Sequence, residues 1–340
     1  MSTRIIAEIS LEKLKSNAHK SFALLKSGVK RCAVVKSNAY GHGLVEVASA
    51  LYPHCDYYAV SLLDEVVKLR QSGIDKPIII LTPVFENTVD GLVRNNAIIT
   101  VTKFSDVDLI EKSAKKQDKK VSVHLAINSG MNRLGFSSEN KINNVIERIK
   151  QSEFVKIDGA FSHFADVSDK EFCEKQYQRF LKLSKPIKYY NKNAVLHLSA
   201  SGGLLLDSDY QLDMVRVGIL LYGYTPYKTD KIKVEPIMKV KANAILSRAN
   251  VENEHLLYGN YICKHKRITL LRLGYADGFL RRGMKNSTNN LCMDICAVKG
   301  VKRGLVTVMD NAQELAEKTG TIAYEILVNV TARAKFVYKD

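Results

Sequence analysis

Long apolar runs are missing from this chain of 340 residues. No stretch approaches the roughly 18–20 consecutive apolar residues that span a bilayer; the segment VRVGILLYGY is too short and is broken by Arg216 and Gly218. The first residues, MSTRIIAEISLEKLKSN, lack the roughly 7–15-residue apolar core of a secretory leader, so a cytoplasmic protein with no membrane partner is expected. Pro/Gly tracts, Gln/Asn tracts and heptad arrays are absent too, which excludes fibrous and low-complexity classes. Six cysteines supply one close pair, Cys292-x-x-x-Cys296, and no second Cys/His pair follows at zinc-finger spacing. Neither a disulfide framework nor a metal site is expected. Positive charge is abundant, 51 Lys and Arg against 35 Asp and Glu, but it is scattered in pairs such as Lys115-Lys116 with no block of five. That pattern reads as a solvated basic surface, and no nucleic-acid partner is expected.

What the chain does contain is alternation. Short β-branched apolar runs fall at 32–36, 57–60, 77–81, 97–101, 121–127, 155–162, 194–198 and 214–219. Between them lie helical patterns such as Leu44-Val47-Ala48-Leu51 and Val145-Ile146-Ile149, spaced at i, i+3, i+4. Strand–helix alternation predicts parallel strands with crossover helices, and eight strands suit a (β/α)8 barrel of about 250 residues. An open doubly wound sheet is the alternative, but no Gly-x-Gly-x-x-Gly follows the first strand. Beyond about residue 225 the texture changes to alternating segments at 237–246, 261–273, 306–309 and 325–338, read as strands with little helix. The expectation is a barrel domain over 1–225 and a mostly β domain over 226–340, the boundary lying within 224–235. The strand at 5–9 is compatible with either domain.

Lys36 ends the first barrel run, in AVVKSNAYGHG (33–43). The C-terminal ends of barrel strands form the active face, and a lysine there can be desolvated and so made nucleophilic enough for a Schiff base or for proton abstraction. A surface lysine is the other reading of that residue alone.

The wider sequence context favours the first. AVVKSNAYGHG resembles the lysine motif of the pyridoxal-phosphate-dependent alanine racemases, and further segments recur in that family's order: NSGMNRLGF (128–136), FSHFAD (161–166), HLSASGG (197–203), MVRVGILLYG (214–223), LYGNY (257–261), LGYADGFLRR (273–282), LCMD (291–294) and TIAYEI (321–326). The resemblance covers almost the whole chain. It implies a barrel followed by a β domain, a pyridoxal 5′-phosphate cofactor, and a homodimer whose active sites are completed by the partner's β domain. It also implies interconversion of L- and D-alanine, supplying D-alanine for peptidoglycan.

Residue roles follow from the same resemblance. Lys36 would tether the cofactor and act as one base, and Tyr258 as the second, contributed across the dimer. Two bases on opposite faces suit racemisation, and a tyrosine of ordinary pKa about 10 needs positive charge nearby to serve. Arg216 would face the cofactor's ring nitrogen, which it can only donate to, and His163 would relay positive character from Arg216 towards Tyr258. Tyr40, Ser201, Gly218, Ile219 and Tyr324 would hold the phosphate. Arg133 and the Met293 backbone would grip the substrate carboxylate.

Departures from the family pattern bear on substrate range. Ala126 stands where the family often has a lysine that positions the arginine, and Asn128-Ser129 replace Asp-Thr. Ala200 precedes Ser201 in place of an asparagine, and Asn290 replaces an arginine before the Cys-Met-Asp segment. A racemase of broad, serine or basic amino-acid preference is therefore the alternative. A decarboxylase on the same plan, a non-catalytic pyridoxal-phosphate-binding module and a basic nucleic-acid-binding protein are the further rivals.

Overall fold

The computed structural model describes residues 5–251, 254–258, 262–281 and 291–340. Asn290, Arg282 and the last three residues of LYGNY lie outside the described residues. Strand β1 (Ile5–Ser10) opens the chain, and eight parallel strands follow: β2 (Lys30–Val34), β3 (Tyr57–Val60), β4 (Ile78–Ile80), β5 (Ile99–Val101), β6 (Val121–Ala126), β7 (Val155–Phe161), β8 (Val195–His197) and β9 (Met214–Val217). They form two ladders, β4-β3-β2-β9 and β5-β6-β7-β8. Single parallel bridges, Ile79 to Ile98 and Ala200 to Arg216, join the ladders at both seams and close the ring.

Covering on both faces explains the run-like strands: Ile78, Ile79 and Ile80 are all buried, as parallel sheets under helices require. The outer helices are amphipathic for the same reason. In the helix Leu44–Leu51, Leu44, Val47, Ala48 and Leu51 all point inward, each large one contributing about 1.5–3 kcal/mol by leaving water.

The C-terminal sheet is built from β10 (Met238–Ala249), β11 (Arg267–Leu271), β12 (Cys296–Lys299), β13 (Leu305–Met309) and β14 (Lys335–Lys339). Its order is β12-β11-β10-β1-β14, with β13 paired on β10. Thus β1 belongs to this sheet, antiparallel to β10 and parallel to β14. Asn17, on the first helix, ties the connecting segment down. Its amide donates to Leu221 O (3.2 Å) and Glu235 O (2.8 Å), and its Oδ1 accepts from Glu235 N (3.0 Å).

Three expectations are corrected here. The segment 325–338 is not one strand: a helix, Ala323–Asn329, precedes β14. Ala323, Ile326, Leu327 and Val330 are buried at i, i+3, i+4 and i+7, a helical period that outweighs the β-branched composition. The described strand within 261–273 is confined to Arg267–Leu271. A second helix, Ala312–Thr319, is fixed at its ends by the Asn311 side chain and by Gly320 in the left-handed region, so this domain holds more helix than the sequence pattern predicts.

Candidate active site

A cavity of about 820 Å³ opens at the C-terminal ends of the barrel strands. Lys36 and Tyr40 reach it from the segment after β2, Arg133 from the loop after β6, His163 from the end of β7 and Ser201 from the segment after β8. Arg216 on β9, with Gly218 and Ile219 just beyond, completes the barrel side, and Tyr324 enters from the helix Ala323–Asn329 of the second domain. Nine of the eleven residues singled out from the sequence therefore share one cavity. Tyr258 and Met293 do not line it in their own chain: both are exposed, at 66% and 53%.

Four consecutive residues after Lys36 are left-handed: Ser37, Asn38, Ala39 and Tyr40, with φ between 53° and 55°. For L-residues this costs about 1–2 kcal/mol each, so the surroundings must hold the turn. Asn38 is its pivot. The Asn38 carbonyl accepts from His42 N and Gly43 N (3.0 Å each), and its side chain accepts from Leu44 N (2.9 Å). Gly41 and Gly43 then have positive φ and no room for a side chain: a Cβ would lie 2.2 Å from Leu327 O at the first and 1.8 Å from the Tyr338 hydroxyl at the second. That is why the motif closes on Gly-His-Gly.

Burial lowers the Lys36 amine below the ordinary lysine pKa, with Arg133 and Arg216 adding to the effect and Glu65 opposing it. A larger neutral fraction at physiological pH makes it a better nucleophile and base.

Arg216 forms the cavity floor and is 3% exposed. It donates to His197 O (3.0 Å), Leu198 O (3.0 Å) and Ser162 O (2.7 Å), and to His197 Nδ1 (2.6 Å) and His163 Nδ1 (3.3 Å). Asp213, immediately before the same strand, pairs with Lys188 and not with Arg216. Burial holds the guanidinium down to about 10, still protonated at neutral pH. Because a guanidinium only donates, His197 must accept at Nδ1 and carry its proton on Nε2, which faces His124 Nδ1 at 2.9 Å. Burial lowers His197 well below the usual value and His124 to about 4, so both stay neutral. His197 and His124 were missed as site residues; the histidine opening HLSASGG was the available signal.

His163 sits beside Arg216, its Nδ1 accepting from the guanidinium at 3.3 Å. Burial, with Arg216, Arg133 and Lys36 around it, pushes His163 down to about 3. The imidazole is neutral and the positive charge at this point of the cavity sits on Arg216.

The other end of the cavity is a small-residue cradle. A Cβ on Gly218 would lie 2.7 Å from the Tyr40 hydroxyl, and Gly218 N donates to Ser201 Oγ at 3.1 Å. Tyr40 stacks on Tyr222 at 4.7 Å and approaches Tyr324 at 6.0 Å. Burial raises the Tyr40 hydroxyl and pushes Tyr324 up to about 12, so both remain protonated donors.

Ala126 is buried at the end of β6. Asn128 does not position Arg133. Its Oδ1 accepts from Gly130 N and Asn132 N, closing its own loop. Among the described residues Arg133 makes no hydrogen bond or ion pair. Met293 is fixed through its backbone, its carbonyl accepting from Ala276 N at 3.0 Å.

Replacing Arg216 by methionine should lower apoprotein stability by at least about 2 kcal/mol, because the buried Ser162 and Leu198 carbonyls lose their Arg216 donor, while His197 O keeps Ser162 N. Urea unfolding measures this; a loss below about 1 kcal/mol means that other donors reach those carbonyls.

The alanine racemase N-terminal domain model matches residues 9–226, and the alanine racemase C-terminal domain model matches residues 237–338. The chain is 32% identical to an alanine racemase of Clostridium kluyveri, covering 90% of this chain and 86% of that one. It is 31% identical to an alanine racemase of Methanococcus maripaludis over 99% of each. Among solved structures, an alanine racemase of Clostridium difficile superposes with a TM-score of 0.94 at 31% identity, covering 100% of this chain and 96% of that one. One from E. faecalis gives 0.88 at 26% identity, covering 99% and 98%.

Proposed function

The chain belongs to the alanine racemase family, and from that premise we propose that it interconverts L- and D-alanine with pyridoxal 5′-phosphate, so supplying D-alanine for peptidoglycan. The observation that carries this reading is a single cavity with a half-buried lysine of lowered pKa, a donor-only cation on its floor and, at its far end, a cradle of Gly218 and Ser201 beside the Tyr40 hydroxyl.

Those groups fit the cofactor. Lys36 would tether it, and Ser201, Gly218, Ile219, Tyr40 and Tyr324 would take the phosphate, with two protonated phenols able to donate to an anion. Arg216 would meet the ring nitrogen with a hydrogen bond and no proton to accept. Bound there, the cofactor supplies an electron-withdrawing ring that acidifies the substrate's α-proton. The residues of the chain do the rest. Lys36 takes or returns that proton on one face, and Tyr258 of the partner does so on the other. Its exposure outside its own cavity supports a role across a dimer. Arg133 suits the substrate carboxylate by charge, with Met293 approaching from the partner.

A broader substrate range is the second reading. It is favoured by the small buried Ala126 and by an Arg133 that no side chain among the described residues holds. Apoprotein mixed with pyridoxal 5′-phosphate should gain a visible absorbance band that borohydride abolishes, with the reduced label on the Lys36 peptide. Chiral analysis across a panel of L-amino acids should then give D-alanine fastest. Label on another lysine, or no D-product from any amino acid, would defeat the proposal.

A further inference from the structure

Glu65 lies on the helix that follows β3, Leu63–Gln71, and is 6% exposed. A buried carboxylate is costly unless its oxygens are hydrogen-bonded, and both of them are. Oε2 accepts from Ser61 N (2.9 Å) and Leu62 N (3.1 Å), as an ordinary helix-capping glutamate does. Capping leaves Oε1 unused. In this chain Oε1 crosses to the preceding barrel loop, 27 positions back in sequence, and accepts from Asn38 N at 3.2 Å. Asn38 is the pivot of the left-handed turn between Lys36 and Tyr40.

We propose that Glu65 is a positioning residue that clamps this left-handed turn, so holding the cofactor-tethering lysine and the phosphate-side Tyr40 at their working separation. The inference rests on the reading of Lys36 given above. Geometry carries it: one carboxylate joins the loops after the first two barrel strands through three backbone donors, and the turn it grips has four residues in a conformation they do not favour. Electrostatics agrees. Of the charged groups acting on Lys36, Arg133 and Arg216 lower its pKa, while Glu65 raises it.

The test uses apoprotein with the variants Glu65→Gln and Glu65→Asp. Glutamine keeps the size but has only one accepting oxygen, so either Asn38 or the helix start loses its acceptor. Aspartate keeps the charge and loses reach. Acetic anhydride labelling of Lys36 against pH, read by mass spectrometry, should move to lower pH in Glu65→Gln and stay near wild type in Glu65→Asp. Capture of pyridoxal 5′-phosphate, trapped by borohydride, should weaken about tenfold in both, as expected for a lost charge-assisted hydrogen bond. Folded variants with wild-type labelling and capture would reduce Glu65 to a helix cap and overturn the proposal. Hydrogen exchange in wild-type apoprotein covers variants that do not fold: the Asn38 amide should exchange as slowly as those of Ser61 and Leu62, and rapid exchange at Asn38 refutes the clamp. If wild-type Lys36 captures no cofactor, the functional reading fails, while the labelling and exchange results still decide the role of Glu65.

Discussion

Replacing Lys36 by alanine is expected to abolish racemisation, a loss of at least about 10⁴-fold, because tether and base disappear together. The fold should survive. Lys36 is half-buried, its charged form is disfavoured by burial, and Arg133 and Arg216 repel it. Its pKa is lower in the folded chain than in the unfolded one, so the native state prefers the neutral amine. The charged amine therefore costs stability below the lowered pKa, and that cost fades as pH rises towards the unfolded value of about 10.4. The alanine variant should accordingly match or slightly exceed the wild-type urea midpoint near neutrality, with the advantage shrinking at high pH. Chiral product analysis and urea unfolding on the same preparation check both halves. Retained racemisation would remove Lys36 from the mechanism, and a clearly lower midpoint would make the lysine structural.

The barrel was legible in the sequence because its strands carry short apolar runs where they are covered on both faces; Ile78-Ile79-Ile80 needs no partner to be recognised, and even Val155–Phe161, with Lys156 exposed, ends on three buried residues. The second domain was less so. In Ala323–Asn329 the β-branched and aromatic residues imitate a strand, and the helical period emerges only when Val330 is counted with Ala323, Ile326 and Leu327. Lys36 was found through its motif, not its surroundings. The left-handed turn was not legible, since Ser37, Asn38, Ala39 and Tyr40 are ordinary residues and the carboxylate that accepts from Asn38 N, Glu65, lies 27 positions away. The histidines behind Arg216 were missed for a related reason: His124 and His197 are 73 positions apart and acquire meaning only when two barrel strands bring them to 2.9 Å. Sequence patterns report local periodicity well. They report a charge held by three carbonyls and two imidazoles poorly, because none of those partners is local.

Mixing two inactive variants should restore activity if Tyr258 works in the partner's site. In a Lys36→Ala homodimer both sites lack one base, and in a Tyr258→Phe homodimer both lack the other. A mixed dimer contains one site with Lys36 and Tyr258 both intact and one site with neither. Random exchange of equal amounts makes about half the dimers mixed, so roughly a quarter of wild-type sites should return. Against two nearly inactive parents this is a large gain, and chiral product analysis reads it directly. Geometry gives the expectation its basis: Tyr258 is 66% exposed and outside the cavity that holds Lys36 in the same chain. Were both bases drawn from one chain, exchange would produce no intact site and no recovery. Subunit exchange is verified separately by mass spectrometry of differently tagged chains. Absence of recovery once mixed dimers are present places the second base elsewhere, and the paired assembly then has no mechanistic role in racemisation.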